Sequence, residues 1–249
     1  MADIVSGSVP GQDSGFPRVV PASSHDSTAQ GSLLRGALRG LPVFAGDLPG
    51  FDPAAVPGDP VALFVTWIGE AIDAGVAEPH AMMLGTADAG GVPSVRVVIL
   101  KDVHDGGWEF ATDARSRKAV DLAANPHGAA TFYWQPQARQ VRLSGTVVAA
   151  SPQVCAADFL ARSPDSRAAA RAVRPGEPLG SPAELEAAIE RALHRVQDEP
   201  QLVLPEWSLQ ALVPLEIEFW QGDRRRAHTR VVYRRDSVGG PWRHELVWP

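Results

Sequence analysis

The chain has 249 residues, of which 45% are hydrophobic and 21% charged, and its formal net charge is −6. This length is sufficient for one large domain with a buried core, and the acidic net charge argues against a general nucleic-acid-binding role. Cys155 is the single cysteine, so no disulfide framework is expected and a reducing compartment is favoured. No apolar run reaches about 18 residues, and the first residues lack a basic and apolar leader, so we expect a cytoplasmic protein that does not span a membrane.

The N-terminal segment has a different composition from the rest of the chain. Residues 1–45 are rich in Gly, Ser, Pro and Ala, and such a segment buries too little apolar surface to offset the entropy lost on ordering. We therefore expect a disordered N-terminal arm over residues 1–45, followed by one domain over residues 46–249.

The first helix of that domain is predicted directly after a proline-rich segment. Asp59 is a suitable N-cap and Pro60 suits the first helical position. Gly75 is expected to end the helix. One helical face is predicted to carry the apolar residues Val61, Phe64, Ile68 and Ile72.

Strand patterns dominate from Ala81 onward. Further helices are expected after Ser116, Ser151 and Ser181, and a turn near Gly239–Gly240. The predicted strands lie in AMMLGTADAGGVPSVRVVILKDV, which forms two, and in GGWEFATD, GAATFYWQ, RQVRLSGTVVAA, LEIEFWQG and TRVVYRRDSVGGPWRHELVWP. Many strands with short turns and few helices predict an antiparallel barrel with flanking helices, a mainly β (α+β) fold.

Common catalytic and nucleotide-binding motifs are absent from the sequence. It contains no GxGxxG or GxxxxGK[ST] loop, no GxSxG elbow, and no HExxH or CxxC spacing. Hydrolase chemistry is therefore not indicated, and no metal site is expected.

Cationic residues instead gather at the ends of predicted elements. Arg117 and Lys118 fall in the first turn of a helix, where free N–H groups favour an anion and where extra cations are unfavourable without one. Arg96 and Lys101 bracket one strand, and their odd spacing directs them to opposite faces unless the strand bends or bulges. Each residue taken alone is explained as a solvated surface charge, but this placement also predicts a phosphate-binding site.

The larger pattern is carried by RVVILK (96–101), SRKA (116–119), NP (125–126), RQVRLSG (139–145), IEFWQG (217–222) and RRAHTR (225–230). In this order, the motifs resemble the pyridoxine/pyridoxamine 5′-phosphate oxidase family of FMN-binding split barrels, over about residues 59–249. The resemblance implies a six-stranded antiparallel Greek-key split β-barrel with flanking helices. It also implies a homodimer with FMN at the subunit interface.

The resemblance further implies which residues contact the cofactor. Arg96, Arg117 and Lys118 would hold the FMN phosphate, since charge-assisted pairing with a dianion suits guanidinium and ammonium groups. The full implied set is Arg96, Val97, Val98, Ile99, Leu100, Lys101, Ala111, Thr112, Arg117, Lys118, Gln140, Trp220 and Arg230.

Catalytic and substrate contacts are implied in the same way. Arg226 and His228 would lie over the substrate ring and act as the catalytic pair. The implied substrate-binding set is Lys101, Asp158, Arg162, Ser166, Arg226 and His228. Arg224 and Arg225 match no family position and are expected to be solvated residues of a hairpin tip.

Two departures from the family pattern bear on the substrate. Asp158 stands where the family has a tyrosine that contacts the substrate phosphate, and its charge would weaken the binding of a phosphate. Its i, i+4 spacing from Arg162 would allow the two to pair and neutralise each other. Pro175–Gly176 replaces a Gln-Ser pair that contacts FMN, so those side-chain contacts are lost.

The activity implied is that of an FMN-dependent oxidase, which passes a hydride from substrate to FMN and uses O2 as the electron acceptor. Pyridoxine or pyridoxamine 5′-phosphate is the first expected substrate. One alternative is an FMN-dependent oxidase of phenazine-biosynthesis type that acts on another aromatic substrate. The other is a non-catalytic flavin-binding split barrel.

Overall fold

The computed structural model describes residues 27–104 and 107–249, and residues 1–26 of the expected arm lie outside this description. The chain divides into two units, residues 1–43 and residues 44–249. In the first unit, Ser27–Gly40 forms helix α1. The sequence pattern did not predict this helix. Its Ala, Leu and Arg residues are good helix formers, which explains order within a segment expected to be disordered.

The second unit contains eight strands and five α-helices, with a short 3-10 helix at Gln135–Gln137, within its described residues. The strands are β1 (Ala81–Ala87), β2 (Pro93–His104), β3 (Gly107–Asp113), β4 (His127–Trp134), β5 (Arg139–Ala149), β6 (Trp207–Gln221), β7 (Thr229–Arg234) and β8 (Arg243–Leu246). The helices are α2 (Pro60–Asp73), α3 (Arg117–Ala124), α4 (Pro152–Leu160), α5 (Pro164–Ala172) and α6 (Pro182–Asp198).

Six of these strands close into a barrel. The strand order is β3-β2-β1-β4-β5-β6, and β6 pairs back onto β3, so the ring has no free edge. All pairings are antiparallel, and β7 and β8 extend the sheet from β6. The expected six-stranded antiparallel barrel with flanking helices is therefore confirmed.

The barrel core is rich in aromatic side chains, and α2 packs onto it. Phe64 of α2 contacts the rings of Trp108 and Phe132 at centroid distances of 5.4 and 5.0 Å. The predicted apolar face of α2 was partly wrong, because Ile72 is exposed and the buried residues are Pro60, Leu63, Phe64, Trp67 and Ala71. Trp67 draws the helix onto the barrel through its ring contact with Phe219 at 5.2 Å.

The predicted helix boundaries depended on capping residues, with mixed results. Asp59 caps α2 by accepting a hydrogen bond from the N–H of Val61 at 2.9 Å, and Ser181 caps α6 in the same way. Ser116 occupies the N-cap position of α3 but makes no side-chain capping bond. Helix α5 was not predicted, although Ser163 caps it.

Candidate functional site

Two of the three cations implied for the cofactor phosphate meet at one carboxylate, and the third lies beside them. Asp121 of α3 is buried, and its Oδ1 accepts a hydrogen bond from Nε of Arg117 at 2.7 Å. Nη2 of Arg96 lies 3.9 Å from Oδ2 of the same side chain. Nζ of Lys118 donates to the hydroxyl of Ser116 at 3.1 Å. Residues from β2 and from the first turn of α3 thus form one cluster, which we call the anion cluster.

The guanidinium of Arg96 is fixed by β1 and β2. Its Nη1 donates to the carbonyl of Leu84 at 3.1 Å and to the hydroxyl of Thr86 at 2.8 Å. Its Nη2 donates to the hydroxyl of Ser94 at 2.7 Å. Thr86 in turn donates to Asp121 at 2.8 Å, so this threonine, which the sequence patterns did not single out, joins Arg96 to the buried carboxylate.

The anion cluster carries more positive than negative charge. Arg96 and Arg117 face the buried Asp121, and the more exposed Asp88 accepts from Nη2 of Arg117 at 3.0 Å. Arg115 and Lys118 face Asp113, so four cations stand against three carboxylates. Burial lowers the pKa of Lys118, and the charge of Arg96 lowers the pKa of Lys118 further. A lysine whose charged form is destabilised by burial and by a neighbouring cation is stabilised when a dianion binds beside it. The residues present therefore fit a phosphate group.

The neighbouring strand β3 contributes little direct contact. Thr112 is buried, and its hydroxyl lies 3.0 Å from that of Ser116, the residue before α3. Ser116 is thus engaged by Thr112 and Lys118 and does not cap the first-turn N–H groups of α3. Ala111 is half-buried on the same strand. Of these two predicted residues, Thr112 contacts the cluster through Ser116.

The middle of β2 alternates between core and surface. Val98 and Leu100 are buried, whereas Val97 and Ile99 are exposed, with 63% and 43% of their surface accessible. A register shift between Leu100 and Asp102 marks a bulge at Lys101. The bulge does not bring Lys101 to Arg96, because Arg96 turns to the anion cluster while Lys101 pairs with Asp158.

A second group of predicted residues lies across three neighbouring strands. Gln140 of β5 is in register with Trp220 of β6, and Trp220 is in register with Arg230 of β7. Nε of Arg230 donates to Oε2 of the buried Glu218 at 2.7 Å. This ion pair orients Arg230.

The predicted catalytic pair lies in the turn after β6. His228 accepts a hydrogen bond on Nδ1 from the N–H of Asp223 at 3.0 Å, and its ring lies 4.9 Å from that of Trp220. Arg226 has a left-handed backbone conformation, with φ at 67°. Such a conformation costs a non-glycine residue free energy and is often associated with functional sites.

Phe44 packs into this same group. Its ring lies 5.9 Å from that of Trp220 and 5.6 Å from that of His228. Arg224 holds the segment, since its Nε donates to the carbonyl of Phe44 at 3.1 Å and its Nη2 to that of Gly46. The prediction that Arg224 is a solvated residue was wrong in this respect, because its exposed side chain anchors residues 44–46. Arg225 is exposed as predicted.

The third group contains the remaining predicted substrate residues. Asp158 of α4 forms an ion pair with Lys101 and accepts a hydrogen bond from Nε1 of Trp207 at 2.8 Å. Arg162 stacks on the ring of Trp207 at 4.1 Å and donates to the carbonyl of Ser166 at 3.1 Å. The predicted i, i+4 pair is thus replaced by a pair between Asp158 and Lys101. Burial lowers the pKa of Arg162, and the charge of Asp158 acts in the opposite direction.

Several residues of these groups were not singled out from sequence. Trp207, Phe44, Thr86 and Asp121 are ordinary apolar or polar residues in their local patterns, and only their long-range contacts distinguish them. Asp121 carries one usable signal, because its i, i+4 spacing from Arg117 predicts a helix ion pair. Pro175–Gly176 lies between α5 and α6, where Gly176 has φ at 83°.

The described part of the chain contains neither a metal-binding cluster nor a membrane-spanning helix. Within residues 27–104 and 107–249, no group of three or more His, Cys, Asp and Glu side chains could hold a metal ion. Over the same described residues, no helix combines the length and the apolar character needed to cross a bilayer.

Curated relatives match most of this chain. A protein named pyridoxine/pyridoxamine 5′-phosphate oxidase in Salinibacter ruber is 38% identical over 195 residues, which cover 78% of this chain and 91% of the relative. A protein of the same name in Paraburkholderia phymatum is 42% identical over 195 residues, with the same coverage.

Solved structures share the fold. PhzG from Burkholderia lata 383, solved in complex with tetrahydrophenazine-1-carboxylic acid, has a TM-score of 0.74 and 28% identity, and the match covers 82% of this chain and all of that one. A pyridoxamine 5′-phosphate oxidase-related, FMN-binding protein from Nostoc punctiforme has a TM-score of 0.59 and 21% identity, covering 74% of this chain and 96% of that one, which shows the fold alone.

Two family models account for the domain. Residues 68–198 match the model described as pyridoxamine 5′-phosphate oxidase. Residues 207–249 match the model described as the pyridoxine 5′-phosphate oxidase C-terminal dimerisation region. With most of the barrel matched by these models and by relatives of which 91% is covered, the chain belongs to the pyridoxamine 5′-phosphate oxidase family.

Proposed function

We propose that this protein is an FMN-dependent oxidase that works as a homodimer. The observation that carries the proposal is the anion cluster, in which Arg96 and Arg117 face one buried carboxylate, Lys118 lies beside them and positive charge is in excess. Such a cluster suits the phosphate of FMN, and family membership supports the same cofactor. When bound, FMN would supply a two-electron acceptor for a hydride from the substrate, with O2 taking up the electrons afterwards.

The remaining cofactor contacts would come from the strands around the cluster. The backbone of residues 97–100 and the side chains of Ala111 and Thr112 would line one side of the cofactor site. Gln140, Trp220 and Arg230 are aligned on adjacent strands and would complete it. Gln140 would donate a hydrogen bond near the flavin ring, and Arg230, which Glu218 orients, would supply a cation.

The substrate would be held by the predicted catalytic pair in the turn after β6 and by the third group, around Asp158. Arg226 and His228 would contact the substrate ring, and the hydrogen bond on Nδ1 of His228 leaves its Nε2 as the donor. Lys101, Arg162 and Ser166 would lie at the anionic end of the substrate, together with Asp158. Pyridoxine or pyridoxamine 5′-phosphate is the first substrate to test, because the curated relatives are named for it.

A dimer would bring the three groups into common sites. One surface of the barrel carries Val95, Val97, Ile99 and Met83, all exposed, and Met83 is in register with Val97. An apolar surface of this kind is typical of a subunit interface, and the match to a dimerisation region supports this assignment.

A second candidate function keeps the cofactor and changes the substrate. Because Lys101 is already paired with Asp158, this cation is less available to a substrate phosphate. The structural relative PhzG was solved with an aromatic carboxylic acid, so an oxidase of phenazine-biosynthesis type is the specific alternative. A flavin-binding barrel without catalytic activity is the non-enzymatic one.

The proposal is tested first by cofactor binding and then by reduction. The purified protein should be yellow, and added FMN should raise its melting temperature more than riboflavin, which lacks the phosphate. Anaerobic mixing should then bleach the flavin with pyridoxine 5′-phosphate on the first candidate function, or with a reduced aromatic acid on the second. A colourless protein that FMN does not stabilise would contradict both enzymatic functions. Bound flavin that stays oxidised with every candidate substrate would favour the non-catalytic barrel.

A further inference from the structure

Asp158 has both carboxylate oxygens engaged inside the third group of the candidate site. Oδ1 pairs with Nζ of Lys101, and Oδ2 accepts a hydrogen bond from Nε1 of Trp207 at 2.8 Å. Only 15% of the Asp158 side chain and 31% of the Lys101 side chain are exposed. A pair this sheltered is screened less by salt than a surface pair. Lys101 is therefore already paired with a carboxylate of its own chain.

Packing keeps this arrangement in place. The Trp207 ring makes an edge-to-face contact with Phe159, at a centroid distance of 5.7 Å, and the guanidinium of Arg162 lies over it at 4.1 Å. Because these two contacts hold the indole, its N–H remains directed at Asp158. Among the described residues, Nε of Arg162 is buried without a hydrogen-bond partner. The guanidinium of Arg162 thus has a donor without an acceptor, and Asp158 does not supply one because Lys101 and Trp207 engage both of its oxygens.

The balance of charge follows from these contacts. Lys101 and Arg162 supply two positive charges, and Asp158 removes one, so the group has a net charge of +1. A monoanion would balance it. A phosphate dianion would leave the group negative, or would displace Asp158 from Lys101 and leave a sheltered carboxylate without its cation, which is costly.

We propose that Asp158 selects the substrate by charge, so that this group receives a monoanion such as the carboxylate of an aromatic acid and disfavours a phosphate dianion. The inference rests on the proposed function, because it places the anionic end of the substrate at Lys101 and Arg162. Specificity of this kind arises as much from repulsion of the wrong ligand as from attraction of the right one.

The test compares two ligands that share a ring and differ in their anionic group. Protein reconstituted with FMN is titrated by calorimetry with 1-naphthoate and with 1-naphthyl phosphate, at a pH well above the second phosphate pKa of about 6. The variant is Asp158→Asn, which keeps an oxygen for Trp207 and removes the negative charge and the acceptor that face Lys101. Asp73→Asn, on the exposed end of α2, is the control for the same change in net charge.

We expect the wild-type protein and Asp73→Asn to bind 1-naphthoate more tightly than 1-naphthyl phosphate. Asp158→Asn should shift the ratio of the two affinities toward the phosphate by about tenfold or more. Lys101→Gln, which deprives Asp158 of its cation, should abolish binding of the carboxylate. An unchanged ratio in Asp158→Asn, a wild-type preference for the phosphate, or failure of both ligands to bind would each overturn the inference.

The cofactor measurement is separate from these titrations. Protein that does not retain FMN would contradict the proposed function, whichever anion it binds. Protein that retains FMN but shows no change in ligand ratio would leave the proposed function standing and remove only the role of Asp158.

Discussion

The N–H of Asp223 donates a hydrogen bond to Nδ1 of His228 over 3.0 Å. Because Nδ1 acts as the acceptor, the neutral ring carries its proton on Nε2. Oδ1 of Asp223 also accepts from the N–H of Arg225 at 2.7 Å, so one residue both shapes the turn and selects the histidine tautomer. The ring packs against Trp220 and Phe44, which fixes its plane.

This arrangement predicts different results for two substitutions of His228. His228→Asn can still accept from Asp223 but has no donor at the position of Nε2, whereas His228→Gln places an amide donor there. We expect His228→Asn to lower kcat by about 100-fold and His228→Gln to lower it less. The measurement is steady-state kinetics with the substrate that bleaches the flavin, and FMN affinity should be the same in both variants. Equal losses in the two variants would show that the Nε2 donor is not used.

The anion cluster predicts that phosphate recognition can be separated from recognition of the flavin ring. Arg96→Met and Lys118→Met each remove one cation from the cluster, and a charge-assisted hydrogen bond contributes about 1.5 to 3 kcal/mol. FMN affinity, followed by the quenching of flavin fluorescence, should fall about tenfold to 100-fold in each variant.

The control for that prediction is built into the ligands. Riboflavin has the same ring system without the phosphate, so its weaker affinity should change little in either variant. Arg243→Met, which removes an exposed cation paired with Asp236 on and near β8, should alter neither affinity. Parallel losses for FMN and riboflavin would indicate that these cations support the fold and do not bind the phosphate.

Tyr233 predicts a loss of stability at alkaline pH. Its hydroxyl is buried and donates to the carbonyl of Pro57 at 2.7 Å, and burial, together with the charge of Asp59, raises the pKa of Tyr233 to about 12. An unfolded tyrosine has a pKa of about 10. Between these values the unfolded chain releases a proton that the native protein keeps, so the stabilising contribution is complete below about pH 10 and is lost as the pH rises toward 12.

Urea unfolding at about pH 9 and about pH 11 measures this loss, which we expect to reach about 1 to 2 kcal/mol after solvent screening. Tyr233→Phe should be about 1 kcal/mol less stable at the lower pH, because it lacks the hydrogen bond, and should lose less on going to the higher pH. Tyr133, the other tyrosine, is exposed, so Tyr133→Phe should retain the wild-type dependence. The same pH dependence in all three proteins would exclude Tyr233 as its source.

Gly145 predicts a steric requirement at the contact between β5 and β6. The register of this strand pair shifts between Ser144 and Gly145, and a Cβ on Gly145 would lie 2.1 Å from the carbonyl oxygen of Val213. Because the obstacle is backbone of the barrel wall, Gly145→Ala should lower the free energy of unfolding by about 2 to 3 kcal/mol.

Gly69→Ala is the matched control for that substitution. A Cβ at Gly69 would meet nothing within 4 Å, and the residue lies inside α2, so alanine should stabilise the protein by about 0.5 to 1 kcal/mol. Thermal or urea unfolding of the two variants gives both values. A neutral Gly145→Ala would mean that β5 and β6 can separate there without cost.

Much of the barrel was predictable because its determinants are local. Alternation along β5 buries Val141 and Leu143 and exposes Arg142, and a two-residue period reports which face meets the core without knowledge of the partner strand. The caps at Asp59 and Ser181 act within a few residues of themselves. The misplaced face of α2 shows the limit, since the orientation of a helix also depends on what packs against it.

For the candidate site too, the sequence predicted what depends on local residues, and the tertiary structure decided what depends on long-range packing. Sequence alone determined which residue types the site contains and, through their order, the family pattern to which they belong. Only the tertiary structure decided the partner of each charge: Asp158 pairs with Lys101, 57 residues away, although Arg162 lies one helical turn along. Spacing along a helix makes a pair possible, but a carboxylate takes the donor that the packed strands and helices bring nearest, and that depends on segments far apart in the chain.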